Sequence, residues 1–82
     1  MGSQVTVRYW AGARRAAGLA SEVLTADTLA DLLGQLRARP ELAEVVAASS
    51  VLVNELRPSA ADQPLVDGAV VDVLPPFAGG GE

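Results

Sequence analysis

Residues 27–40, DTLADLLGQLRARP, decide how the rest of the chain is read. Leu29, Leu32, Leu33 and Leu36 recur at i, i+3, i+4 and i+7, which lines one side of an α-helix with leucine. Asp27 or Thr28 supplies the N-cap, and Asp31, three residues after Thr28, makes a variant of the capping box. The acid at the start and Arg37 and Arg39 at the end suit the helix dipole, and Pro40 stops the helix. The leucine stripe needs a surface to cover.

Both flanks supply one. Upstream, QVTVRYW at 4–10 alternates, with Val5, Val7 and Tyr9 on one face and Thr6, Arg8 and Trp10 on the other, the pattern of a strand. AGARRAAG at 11–18 is small and flexible in composition, ends in Gly18, and leads into the short β-branched run SEVLT at 21–25, so these two strands form a hairpin with a long loop. Downstream, PELAEVVAA at 40–48 is a brief second helix of about two turns, with Pro40 in its first turn. SVLVN at 50–54 is a third strand, and the prolines of ELRPSAADQP at 55–64 discourage central pairing. Asp67 and Gly68 mark a turn before a last strand, AVVDVL, apolar on both faces except at Asp72 and therefore expected near the middle of a sheet. Strand, strand, helix, strand, strand is the order of a β-grasp. The expected fold is α+β: a mixed four- to five-stranded sheet, first and last strands adjacent, one main helix across one face, with residues 1–74 as the domain and 75–82 as an extended tail.

Composition narrows the chemistry. Among 82 residues, half are hydrophobic and 20% charged, enough apolar content for a core and too little charge for disorder. No apolar run is long enough to span a membrane and no signal peptide opens the chain, so a cytoplasmic protein is expected. Cys, His and Lys are all missing, which removes the thiol nucleophile, the imidazole base and the usual transition-metal ligands. The net charge of −4 argues against nucleic-acid binding and suits a basic protein partner, or simply solubility. Catalysis by this chain alone is not expected, nor is a metal site.

The chain closes on PPFAGGGE, 75–82. Pro75 and Pro76 cannot donate to a sheet, so the backbone leaves it there, and the six residues from Pro75 to Gly80 can reach on the order of 18 to 20 Å. Phe77 is costly to leave in water and gains about 1.5 to 3 kcal/mol on entering a pocket. Ala78, Gly79 and Gly80 offer almost no side chain, which suits a narrow tunnel.

VRYWAGARRAAG at 7–18, TLADLL at 28–33, VLVN at 51–54 and DGAVVDVLPPFAGG at 67–80 together resemble the small subunit of molybdopterin synthase, a ubiquitin-like sulfur carrier related to the carriers of thiamin and cysteine synthesis. The aromatic-Ala-x-x-Arg segment beginning at Trp10 favours the molybdopterin branch over the others. The resemblance implies that an adenylating enzyme of the ubiquitin-activating type joins the carboxylate of Gly80 to AMP, that a persulfide donor makes it a thiocarboxylate, and that the large synthase subunit uses the sulfur on precursor Z. No cofactor is then held permanently, and ATP belongs to the activating partner. The resemblance further implies partner contacts at Phe77, Ala78, Gly79, Pro75, Pro76, Leu74, Trp10 and Arg14, with Leu56 a weaker candidate. Trp10 has ordinary packing over the hairpin as its alternative, and Arg14 a solvated charge. The alternatives to this function are a sulfur carrier for thiamin, cysteine or thioacid natural products, and a non-catalytic β-grasp interaction module.

One departure stands out: the related carriers end at the diglycine, whereas Gly81 and Glu82 follow here. Three accounts stay open, namely trimming by a peptidase after Gly80, or after Gly81 if the motif is read one place later; a cloning remnant; or a carrier that no longer works.

Overall fold

The computed structural model describes residues 2–76. Four strands, β1 (Ser3–Tyr9), β2 (Ser21–Ala26), β3 (Ser50–Val53) and β4 (Ala69–Leu74), form one sheet in the order β2-β1-β4-β3. β1 and β2 are antiparallel, as are β3 and β4, while β1 and β4 run parallel at the centre with Val5 opposite Ala69 and Tyr9 opposite Val73. The expected β-grasp is therefore present, first and last strands side by side.

Alternation in the strands decides which side the helices cover. Val5, Val7 and Tyr9 of β1 and Ala69, Val71 and Val73 of β4 are all buried, in contact with Leu29, Leu32 and Leu36 of α2 (Leu29–Arg37) and Leu42 and Val46 of α3 (Pro40–Ala48). Leu33, the fourth leucine of the stripe, is only half-buried at the rim of this core. Thr28 is the N-cap of α2, its Oγ1 accepting from the Asp31 amide at 3.1 Å, while the Asp31 carboxylate accepts from the Asp27 amide at 3.0 Å. Two backbone donors are thus satisfied, the acid reaching the amide one residue before the cap and not that of Thr28 itself.

Two expectations are corrected, and one is borne out. The segment read as a flexible loop is a six-residue helix, α1 (Gly12–Ala17), closed by Gly18 in the left-handed conformation. Its alanines are good helix formers, and Ala13 is buried against the core, so small side chains here mean close packing. The second downstream helix has the expected bounds, Pro40–Ala48, and equals the leucine helix in length at nine residues each, with Leu42 and Val46 anchoring it in the same core. Arg39 lies beyond the end of α2, at the N-cap position of α3, where its guanidinium binds Glu22 at 2.7 Å and Glu41 at 3.1 Å.

Residues 54–68 form no strand but are pinned to the domain. Leu65 is buried, its amide bonds the Asp27 carbonyl, its carbonyl accepts from the Ser3 hydroxyl, and Leu29 donates to the Gln63 carbonyl. At the Asp67–Gly68 turn, Gly68 takes a φ of 86°, where a side chain would be strained, and the Asp67 carboxylate accepts from the Gln4 amide at 2.8 Å.

Candidate functional site

Because β1 and β4 are parallel, their C-terminal ends meet at one end of the sheet. The Trp10 amide donates to the Val73 carbonyl at 3.3 Å, and Leu74 stands opposite Ser50, the first residue of β3. Trp10, Arg14 on α1, Leu74, Pro75 and Pro76 are brought together here. Regular pairing stops at Leu74, as prolines that lack an amide hydrogen require. Pro75 is buried and Pro76 exposed. Phe77, Ala78, Gly79, Gly80 and Gly81 lie outside the described residues.

Trp10 is not a core residue, being 40% exposed on the sheet face opposite the helices. Its indole Nε1 donates to Asp72 Oδ1 at 2.9 Å, and the same carboxylate receives Arg8 Nε on Oδ1 at 2.6 Å and Arg8 Nη2 on Oδ2 at 2.9 Å. The Arg8 guanidinium carbon also lies 5.8 Å from the centroid of the indole ring, within cation–π range. Asp72 is 4% exposed, the one charged residue buried among those described. Hydrogen bonds from Arg8 hold its carboxyl below the usual carboxylate range, opposed by desolvation and helped by the Trp10 N–H and the Arg8 charge.

The backbone beside Trp10 is unusual. Ala11 has φ 49° and ψ −123°, and the Ala13 amide closes the turn onto the Trp10 carbonyl at 2.9 Å. These are the dihedrals of the first central residue of a type II′ turn, a place where glycine is normally needed.

Arg14 is exposed, on a helix and not in a loop, with its Nε 3.5 Å from the Tyr9 carbonyl. Leu56 is 70% exposed but sits past the far end of β3, separated from Trp10 and Leu74 by the length of that strand. It follows a two-residue hairpin turn in which Asn54 and Glu55 both have positive φ, 50° and 68°.

The sequence reading missed Arg8 and Asp72. Its one signal was Asp72 itself, an acid inside an otherwise apolar strand. It also missed a second polar cluster on the helix side, where the Tyr9 hydroxyl donates to Glu22 at 2.5 Å and Arg39 binds the same carboxylate oxygen at 2.7 Å. Burial pushes the Glu22 carboxyl up, but the bonds from Tyr9 and Arg39 together outweigh it and hold it below its ordinary value. Burial, then the bond to Glu22, raises the Tyr9 phenol well above its own. Among the described residues no group of three or more acids, His or Cys could hold a metal ion, and no helix is long and apolar enough to cross a membrane.

Comparison with known proteins places this geometry. The sequence profile of the ThiS family matches residues 7–80. A Pyrococcus furiosus protein designated molybdopterin converting factor, subunit 1 is 31% identical, with a TM-score of 0.79, 90% of this chain and 98% of that chain being covered. In Helicobacter pylori, a chain of the complex of subunits 1 and 2 of molybdopterin-converting factor is 25% identical, with a TM-score of 0.75 over 89% of this chain and 93% of that one. Small archaeal modifier protein 1 from Methanosarcina acetivorans shares the fold, with a TM-score of 0.83 at 23% identity over 96% of this chain and 98% of that one. No curated protein sequence matches the chain.

Proposed function

From a chain that belongs to the ThiS family and has its sulfur-carrier fold, we propose a sulfur carrier for molybdopterin synthesis, acting in the cytoplasm as the small subunit of a synthase. One observation carries the reading: the family match runs through Gly79 and Gly80 and stops there, leaving Gly81 and Glu82 outside it. Gly80 is then the residue whose carboxylate reacts.

A carboxylate is a poor electrophile until it carries a good leaving group. An activating enzyme supplies one by joining the Gly80 carboxylate to AMP from ATP, with loss of pyrophosphate; the outer sulfur of a persulfide donor then displaces AMP to form an acyl disulfide, and a second thiol of the donor system cleaves that S–S bond, leaving the thiocarboxylate and a disulfide. That sulfur is a nucleophile on an arm beginning at Pro75, held near its target by docking of the domain. The chain's own residues bind and orient. Trp10 and Leu74 flank the root of the arm, Arg14 stands beside them, and Phe77 and Ala78 lead the glycines into the partner. The bases and metal-bound nucleotide come from the partners, in keeping with the absence of His, Cys and Lys here.

The test compares the full-length protein with a form ending at Gly80, each incubated with an adenylating enzyme, ATP and a sulfur donor and read by intact mass spectrometry. Exchange of one oxygen for sulfur is expected only in the form ending at Gly80. If neither form is adenylated, the carrier reading fails. Adding the large subunit and precursor Z then separates the molybdopterin pathway from thiamin or cysteine synthesis.

A further inference from the structure

We propose that Asp72 and Arg8 are positioning residues for Trp10, locking its indole in one orientation where the chain leaves the sheet so that a partner meets a preformed surface. The value of that surface for docking rests on the carrier reading above; the locking of the indole does not.

The first argument is the expense of the cluster. Asp72 lies in the central strand between Leu52 of β3 and Arg8 of β1, with Val70 and Leu74 as same-face neighbours on its own strand. An apolar side chain would fill this position without desolvating a charge, whereas Arg8, its side chain 38% exposed, keeps much of its hydration, so the cost of burial falls on the carboxylate. Asp72 serves the fold poorly by itself. Its two oxygens are nevertheless fully engaged, two bonds going to Arg8 and one to the indole N–H. The arrangement delivers an indole fixed through its one polar atom and backed by a cation, on a face the helices do not cover.

The second argument is independent and comes from the main chain. Trp10 is bonded on both sides, its amide to Val73 and its carbonyl from Ala13, and the next residue is held in a glycine-type conformation although it is alanine. Strained backbone persists where the surroundings over-determine it, and such places cluster at binding and catalytic sites. Side chain and backbone therefore restrain the same residue by separate means. An ordered aromatic group loses less freedom on binding than a loose one, which is how preorganisation raises affinity.

Trp10 is the sole tryptophan, so its spectrum reports this site alone. The test uses the full chain with Asp72→Asn, the paired change Arg8→Val with Asp72→Val, Trp10→Ala, and the triple combination. Near-ultraviolet circular dichroism and acrylamide quenching read the order of the indole; calorimetry against a molybdopterin synthase large subunit reads docking. The paired valine change should keep the fold, lose the tryptophan dichroism, raise quenching and weaken binding about tenfold. Trp10→Ala should weaken binding by about thirtyfold, as for a buried aromatic anchor. Asn, whose amide oxygen still accepts the indole N–H, should restore much of the order. On the Trp10→Ala background the valine pair should cost nothing further.

An indole that stays ordered without Asp72 and Arg8 overturns the proposal. So does an equal loss of affinity from the valine pair with and without Trp10, because the pair would then act by itself. If the wild-type protein binds no large subunit, the molybdopterin assignment fails while the carrier reading stands or falls on adenylation, and positioning is judged on the spectra alone: order lost in the valine pair upholds it, order kept overturns it.

Discussion

The dipeptide Ala11–Gly12 stands in the reverse of the order its turn prefers, and exchanging the two residues should stabilise the protein. At φ 49° and ψ −123°, Ala11 occupies a region open to glycine and costly to any residue with a Cβ. Strain of this kind is worth about 1 to 3 kcal/mol. Glycine at 11 would relieve it and give back about 0.5 to 1 kcal/mol in added chain entropy of the unfolded state. Gly12 needs no such freedom: its φ is not positive, and a Cβ built there meets only Arg15 Nη2, at an ordinary 3.8 Å. Alanine at 12, the first residue of α1, should therefore gain roughly 0.4 to 1 kcal/mol. The exchange Ala11→Gly with Gly12→Ala nets about 0.5 to 3.5 kcal/mol, centred on about 2, and at about 4 to 8 °C per kcal/mol for a domain of this size that central value raises the melting temperature by about 8 to 16 °C. Urea unfolding followed by circular dichroism supplies the free energy, with an unchanged m-value as the sign that only stability moved. A midpoint equal to or below wild type for both Ala11→Gly alone and the exchange would refute the turn assignment and the strain attributed to it.

Glu55→Gly should stabilise by about 0.5 to 1 kcal/mol, since φ 68° is unfavourable to glutamate and the lost contact to Arg8, at 3.8 Å from a largely exposed carboxylate, is worth little; urea midpoints check it. Leu36→Ala removes a fully buried side chain from the centre of the core and should cost about 2 to 5 kcal/mol, much of the stability a small domain has, read as a fall in denaturation midpoint or loss of the cooperative transition. Stability should be flat through neutral pH, where no side chain titrates in a chain without His or Cys. Asp72 and Glu22 are held below their ordinary values, so their contribution is complete above about pH 4 to 5 and is lost as pH falls through the depressed native values. Tyr9 is held above its ordinary value, so stability should fall again above about pH 10 as the unfolded chain sheds the phenolic proton first. Urea midpoints across this range should show both limbs, with the alkaline one flattened by Tyr9→Phe; an alkaline limb unchanged in that variant would count against a buried, hydrogen-bonded Tyr9 phenol as its source.

What the sequence determined by itself was everything carried by short-range pattern. The spacing of Leu29, Leu32, Leu33 and Leu36 gave α2, Asp27 or Thr28 its cap, Pro40 the break before α3, and alternation through Val5, Val7 and Tyr9 the inner face of β1. The apolar character of β4 gave its central place between β1 and β3, and from that the β-grasp followed. These signals are legible because helix and strand periodicities are local properties of the backbone. The tertiary structure alone decided the rest. AGARRAAG has no apolar periodicity, and only the close approach of Ala13 to the core shows it to be a helix. Ala11 and Glu55 adopt glycine-type conformations that their side chains give no reason to expect, whereas Asn54 is of a type that tolerates positive φ. Trp10 was singled out, but what holds it depends on Arg8 and Asp72, 64 residues apart, and on an indole bond across 62. Such pairs exist only once the parallel register of β1 on β4 is set, and that register is chosen by the packing of the whole core, with nothing in either segment to announce it.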